Sequence, residues 1–208
     1  MELTICRALN SQGWIWNEGA NDKGFDPELG LFPEDVLHWL KTQYPEQYER
    51  AIPETASDTE RKTREHRLLK RLTKELDYTP ILDGITKKVN GGLLGTLRDG
   101  FSFTQTDLGT VIFPDMAGFY PYDSAKTDVI EKAKENRLRV LQQVHFEKGG
   151  LGEIDLVLLV NGIPVITMEL KTDNTQSIDD AVKQYKLSLI HISEPTRREW
   201  LSRMPSSA

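Results

Sequence analysis

The chain has little cysteine, no long apolar run and no excess of basic residues. Cys6 is the only cysteine in 208 residues, so no internal disulfide can form and an intracellular setting is expected. No stretch of about 18 apolar residues occurs, so no segment is expected to span a membrane. The N-terminus also lacks the basic and apolar regions of a secretory signal peptide. These absences favour a soluble cytoplasmic protein in which Cys6 is a small buried residue of the first helix.

The sequence also lacks two common functional motifs, a nucleotide phosphate-binding loop and a zinc-binding pattern. There is no glycine-rich phosphate loop ending in Gly-Lys-Ser or Gly-Lys-Thr, so this chain is not expected to hydrolyse ATP. The four histidines are scattered and no Cys-x2-Cys pair exists, so zinc is not expected. The net charge of -6 does not suggest nucleic-acid binding, although the distribution of charge matters more than its sum.

The most informative segment is a pair of apolar runs joined by Asn161-Gly162. Within residues 153–171 both runs are nearly continuous Val, Ile and Leu, which predicts two strands buried on both faces. Asn-Gly between such runs predicts a β-hairpin. Asp155 lies near the start of the first run, and Glu169 and Lys171 lie at the end of the second. The hairpin therefore brings all three charged side chains to one end of the sheet, where they are costly unless paired or metal-bound.

These residue types fit metal-assisted hydrolysis of a phosphodiester. Glu169 and Lys171 are two apart on a strand and share a face. Two carboxylates with open coordination positions suit Mg²⁺, which prefers oxygen ligands and keeps several waters. The metal can polarise a phosphoryl oxygen and lower the pKa of a bound water, and Lys171 can orient that water or stabilise developing charge.

The register of the hairpin decides whether this site can form. A strict two-residue turn would place Asp155 opposite Met168 and turn Glu169 to the other face of the sheet. The metal site needs Asp155 and Glu169 on one face, so we expect a loop of odd length or a bulge. Pro164 favours such an irregularity because it cannot donate a hydrogen bond to the ladder.

An Asp followed by Glu-x-Lys on the next strand resembles the PD-(D/E)xK nuclease superfamily. The string over residues 154–165, with Glu169-Leu170-Lys171-Thr172 and residues 180–185, is similar to the N-terminal nuclease domain of the R subunit of type I restriction-modification enzymes. Three further stretches resemble that family: residues 31–37, 97–101 and 136–140. The resemblance covers residues 1–186, and its one departure is Ile154, where the superfamily name has a proline that is not a ligand.

The resemblance implies an α/β fold with a PD-(D/E)xK restriction-endonuclease-like core. A mixed central sheet flanked by helices is expected over residues 91–186, after an N-terminal helical region over residues 1–90, the two forming a single nuclease domain. It implies Mg²⁺-dependent cleavage of unmodified double-stranded DNA in a prokaryotic cytoplasm. Methyltransferase and specificity subunits are the implied partners. ATP would serve only motor domains that this chain lacks, so we expect it to be a fragment.

The resemblance also implies roles for individual residues. Asp155, Glu169 and Lys171 would be catalytic, and Asp155 and Glu169 would bind the metal. Glu2, on the first helix, would be a further metal ligand, although an acid favoured by the helix dipole is an equal alternative. DNA contacts are implied for two residues that ordinary helix surface explains as well: Gln184 and Tyr185.

Two other functions remain open at this stage. One is a nuclease of the same superfamily that acts in repair or phage defence. The other is a non-catalytic docking module, which the intact Asp155, Glu169 and Lys171 argue against.

Two segments stand apart in composition. Residues 61–74 carry seven basic residues and one acid, with Leu68, Leu69 and Leu72 forming an apolar stripe. They predict an amphipathic helix whose exposed face contacts phosphates or the motor domain, or is only solvated. Residues 187–208 do not continue the family pattern and resemble a translated sequencing adapter. We expect this tail to be non-native, the alternative being a divergent C-terminus.

The remaining elements follow from periodicity and end signals. A helix is predicted to begin at Pro33, with Pro at its first position, and to end before Pro45. Residues 92–116 are glycine-rich and aromatic, which predicts irregular structure or short strands. Further helices are predicted over residues 1–12 and 124–136, and a strand over residues 137–146.

Overall fold

The computed structural model describes residues 1–77, 92–107, 109–122, 126–146 and 152–170. Lys171, Gln184, Tyr185 and the tail over residues 187–208 lie outside this part of the chain. In chain order the elements are α1 (Glu2–Ser11), α2 (Pro33–Gln43), α3 (Pro45–Ala51), α4 (Asp58–Leu76), α5 (Gly92–Asp99), β1 (Phe101–Gln105), β2 (Gly109–Phe113), α6 (Thr127–Lys134), β3 (Leu138–His145), β4 (Glu153–Val160) and β5 (Ile163–Met168). None of the described helices is long and apolar enough to cross a membrane.

The predicted start of α2 is confirmed. Pro33 is at the first position of α2, and Glu34 and Asp35 lie in its first turn. Helix α4 begins before the predicted span of residues 61–74, at a capping box that was not predicted, in which Ser57 and Glu60 exchange hydrogen bonds between side chain and backbone. The predicted apolar stripe of α4 is buried. Helix α3 directly follows α2 and begins at Pro45, a residue that marks the end of one helix and the first position of the next; the sequence predicts only the end.

The strands that the structure describes do not form the single mixed sheet that the family resemblance implies. Within the described residues they form two antiparallel sheets, a β1–β2 hairpin and a three-stranded sheet in the order β3-β4-β5. The parallel pairing there is one isolated bridge between Ile15 and Arg139. The region 92–116 does contain the expected short strands, but it begins with α5. Thr96 and Leu97 are buried in the core, so packing outweighs the low helix propensity of Gly92 and Gly95.

The three-stranded sheet is covered on both sides. On one side, Cys6 of α1 packs against Val140, Leu156 and Leu158, and Cys6 is fully buried as expected. A second cluster joins Phe32, just before α2, to Val157 and other residues of β3 and β4. The largest cluster joins helices α2 to α5 and the β1–β2 hairpin to Ile163 at the start of β5.

Strand β5 is less buried than predicted. It pairs only with β4 in the described sheet, and Ile166 is 48% exposed. The apolar run over residues 163–168 therefore belongs to a half-covered strand, whereas β4 between its two neighbours is buried along most of its length.

A buried ion pair joins α2 to β3. Asp35 is fully buried and accepts two hydrogen bonds from the Arg139 guanidinium, at 2.6 and 3.0 Å. Arg137 Nε lies 3.0 Å from the same carboxylate, and the Arg139 guanidinium stacks 4.0 Å from the Phe32 ring centre. This pair fixes the start of α2 against the sheet that carries the candidate site.

Candidate active site

The Asn161-Gly162 turn fixes one end of the β4–β5 hairpin. Both residues have positive φ, 48° and 80°, as the predicted tight turn requires. Asn161 is fully buried; its Oδ1 accepts from the Arg137 backbone N–H at 2.8 Å, and its Nδ2 donates to the Met116 carbonyl at 3.0 Å. A Cβ atom on Gly162 would lie 2.4 Å from the Phe32 carbonyl oxygen, so only glycine fits there without displacement.

A bulge follows this turn. Leu159 pairs with Pro164, but Leu158 pairs with Ile166, so Val165 is an extra residue on β5. The irregularity that the metal-site hypothesis required is therefore confirmed, and it lies next to Pro164 as expected.

Beyond the bulge the register is the one that a shared metal site needs. Leu156 pairs with Met168, and extending this register by one residue puts Asp155 opposite Glu169 on the same face. The Leu170 backbone N–H donates to Asp155 Oδ2 at 2.5 Å. Asp155 is half-buried and Glu169 exposed. The hairpin thus brings Asp155 to the segment that contains Glu169 and leads directly into Lys171.

The donor set at this end fits a hard cation. Asp155 and Glu169 supply carboxylate oxygens, the ligands that Mg²⁺ prefers, and the half-buried Asp155 and exposed Glu169 leave room for the waters it keeps. Within the described ranges no group of three or more His, Cys, Asp or Glu side chains is placed to hold a metal ion. The structure therefore does not assemble Glu2 with Asp155 and Glu169 into such a group. Glu2 lies in the first turn of α1, where its charge adds to burial in raising the pKa of Cys6, and its role as a ligand stays a prediction.

A polar network that the sequence did not reveal lies beside Asp155. Gln143 is opposite Asp155 in the β3–β4 ladder, between two paired positions, and has a left-handed backbone with φ 51°. Asn21 Nδ2 donates to Gln143 Oε1 at 2.8 Å. The neighbouring Gln142 donates to Asn21 and accepts from the Trp16 indole N–H. The only local signal for this network was a pair of glutamines inside an apolar strand.

His145 extends this polar network towards the start of β4. Its Nδ1 lies 2.9 Å from Asp22 Oδ2 and its Nε2 lies 3.0 Å from Glu153 Oε1. The hydrogen bond with Asp22 is the main cause that raises the pKa of His145, and the charge of Glu153 adds to it. These contacts hold the segment with Asn21 and Asp22, which we call the polar loop, along β3, next to the candidate site.

Comparison with known proteins gives the family. The family model described as type I restriction enzyme R protein N terminus matches residues 9–189, a span that includes β3, β4, β5 and the Glu169-Leu170-Lys171 segment. Searches of curated proteins and of solved structures found no significant match. Because the matched span is most of the chain, this protein belongs to the family formed by the N-terminal part of type I restriction enzyme R proteins.

Proposed function

We propose that this chain is the nuclease domain of a type I restriction enzyme R subunit and that it hydrolyses phosphodiester bonds of double-stranded DNA with Mg²⁺. Membership of the R-protein family supports the restriction system. The chemistry rests chiefly on one contact, the hydrogen bond from the Leu170 N–H to the Asp155 carboxylate. This contact joins Asp155 to the backbone between Glu169 and Lys171, which gives a two-carboxylate site with a lysine next to it in sequence.

Each residue has a distinct part in this proposal. Asp155 and Glu169 would hold Mg²⁺, which when bound polarises a phosphoryl oxygen and makes water a better nucleophile. The Leu170 N–H orients the Asp155 carboxylate, leaving Oδ1 for the cation. Lys171 would orient the attacking water or stabilise the charge that develops on the phosphate.

The proposed setting is a multi-subunit complex in a prokaryotic cytoplasm. ATP hydrolysis and DNA translocation would come from motor domains elsewhere in the R subunit, since this chain has no phosphate-binding loop. Methyltransferase and specificity subunits would select unmodified DNA. Gln184 and Tyr185, which the family resemblance links to DNA contact, would then lie on the chain just after the site.

The test is substitution of Lys171 in the complete enzyme. Lys171→Ala should lower the rate of DNA cleavage by at least about 10²–10³-fold, the effect of removing one group that stabilises transition-state charge, while ATP hydrolysis and translocation continue. Lys171→Arg should also lose DNA cleavage, because a planar guanidinium does not replace a compact ammonium.

A matched control is Lys126→Ala, which removes an exposed lysine at the start of α6. It should cleave DNA at the parent rate. Parent-level cleavage by Lys171→Ala would refute the assignment of Lys171, and parent-level cleavage by Asp155→Asn would refute the metal site itself.

A further inference from the structure

A second charged feature lies in a groove between α4 and the β1–β2 hairpin. The groove has a volume of about 520 Å³. One wall is the basic face of α4, formed by Arg67, Lys70, Arg71 and Lys74, and the other wall is residues 103–107. We refer to it as the basic groove.

The walls of the basic groove are fixed to each other. Arg64, one turn before Arg67 on α4, donates to Gln105 Oε1 at 2.8 Å and pairs with Asp107 Oδ2 at 2.6 Å. Gln105 is buried and donates in turn to the Ala51 carbonyl at 2.8 Å. The groove is therefore part of the packed fold, and its shape does not depend on the lysines that line it.

Most of the positive charge in the groove is not neutralised within the described part of the chain. Arg71 is paired with Glu75 at 2.7 Å. Lys70 and Lys74 are exposed and have no ion pair there. The pKa of Asp107 is lowered mainly by its hydrogen bond with Arg64, and the positive charge of Arg67 lowers it further. In a chain with a net charge of -6, these cations form a local site for an anion against an acidic background.

The spacing of the cations suits a row of phosphates. Arg67, Lys70 or Arg71, and Lys74 follow each other at helical intervals on one face of α4. Arg67 and Lys74 are about 10 Å apart along the axis, at about 1.5 Å per residue. One strand of duplex DNA places a phosphate about every 3.4 Å along its axis, so this face covers about three of them.

We propose that the basic groove binds the phosphodiester backbone of duplex DNA at a distance from the cleavage site. This rests on the proposed function, because a nuclease domain with a net charge of -6 needs a place where DNA is attracted. The largest core cluster joins α4 to Ile163, at the turn end of the hairpin. Asp155 lies five residues along β4 from the partner of Ile163, which is about 17 Å. A duplex longer than one helical turn, about 34 Å, is long enough to contact both.

The test measures DNA binding by the full 208-residue chain carrying Asp155→Asn, so that binding is separated from cleavage. The probe is a fluorescent duplex of about 30 base pairs, about three helical turns, titrated at salt concentrations from about 50 to about 200 mM. The groove variant is Arg67→Gln with Lys70→Gln and Lys74→Gln. The control variant removes the same charge from exposed lysines outside the groove: Lys62→Gln, Lys126→Gln and Lys134→Gln.

The groove variant should bind about 100-fold more weakly at about 0.15 M salt, and the slope of log K against log salt should fall by about 2.7, because each phosphate contact contributes about 0.9 to it. The control variant should keep the parent slope. Equal slopes for the two variants would overturn the proposal. Competition by polyglutamate that is as strong as competition by duplex of equal charge would also overturn it and assign the groove to an acidic protein partner.

Two further measurements keep the outcomes distinct. Melting curves check that the groove variant is folded, and Lys70→Glu alone, at an exposed position, should give a smaller loss of binding in the same direction. If the complete enzyme with Asp155→Asn still cleaves DNA while the groove variant loses binding, the proposed active site is wrong and the groove assignment stands. If Asp155→Asn abolishes cleavage but the groove variant keeps the parent salt slope, the groove assignment is wrong and the proposed active site stands.

Discussion

The two ends of the β4–β5 hairpin are built in opposite ways. At the turn end, Asn161 is fully buried and its side chain bonds to Arg137, Met116 and Asn136. At the other end, Asp155 is half-buried and Glu169 is exposed. A bulge lies between them. The difference is the one expected if the turn end carries stability and the proposed chemistry lies at the open end, since groups that bind a cation and a substrate cannot be fully enclosed by the core.

The largest expected effect is on stability, from breaking the buried Asp35–Arg139 ion pair near the turn end of the hairpin. Asp35→Asn should lower the free energy of unfolding by about 3–5 kcal/mol, because it leaves the buried Arg139 without its carboxylate. Urea unfolding measures this. The matched control is Glu34→Gln, one residue earlier, because Glu34 is exposed and lies 3.6 Å from Arg137; it should change stability by less than about 1 kcal/mol. Equal effects of the two variants would show that the buried pair does not stabilise the fold.

A smaller effect is expected when one side chain at each end of the hairpin is replaced and the losses of stability are compared. Asn161→Gly keeps the backbone free to adopt positive φ but leaves the Arg137 N–H and Met116 carbonyl without a side-chain partner, so we expect a loss of about 2–3 kcal/mol. Asp155→Asn at the open end keeps an oxygen that can accept from Leu170, so its loss should be under about 1 kcal/mol, a shift of roughly 2–4 °C or less in melting temperature. The opposite order of melting temperatures would contradict the division of roles.

The smallest effect concerns pH at the open end. The pKa of His145 is raised in the folded chain, chiefly by its hydrogen bond with Asp22. Its ion pairs therefore contribute fully below the ordinary histidine pKa of about 6.5 and are lost as pH rises through the higher folded value. Because His145 is 45% exposed, the contribution should be less than about 1 kcal/mol.

The measurement for His145 is the difference in unfolding free energy between the parent and His145→Gln. This difference should be largest near about pH 5 and shrink towards about pH 8. A difference that does not change over this range would mean that the charged form of His145 does not help to hold the polar loop on β3.

The sequence predicted features that depend on neighbouring residues. The Asn161-Gly162 turn and the proline start of α2 each follow from local backbone chemistry. The bulge was predicted in another way, from the requirement that Asp155 and Glu169 share a face. The roles of Asp155, Glu169, Lys171 and Glu2 in metal binding and catalysis stay predictions, as do those of Gln184 and Tyr185 in DNA contact.

The features that were missed depend on contacts between distant parts of the chain. Asp35 and Arg139 are 104 residues apart, and neither local pattern shows that the other exists. The same holds for Asn21 and Gln143, and for the partial exposure of β5. Helix α5 was missed because its glycines argue against a helix, and only burial of Leu97 against the β1–β2 hairpin and α4 explains why it forms.

The bulge at Val165 also limits how this segment can change in evolution. Removing or adding one residue between Asn161 and Glu169 would keep both strands but turn Glu169 away from Asp155. Removing or adding two would preserve the face. Related chains that keep this chemistry should therefore vary in length here by even numbers of residues, and an odd change should accompany loss of one of the two carboxylates.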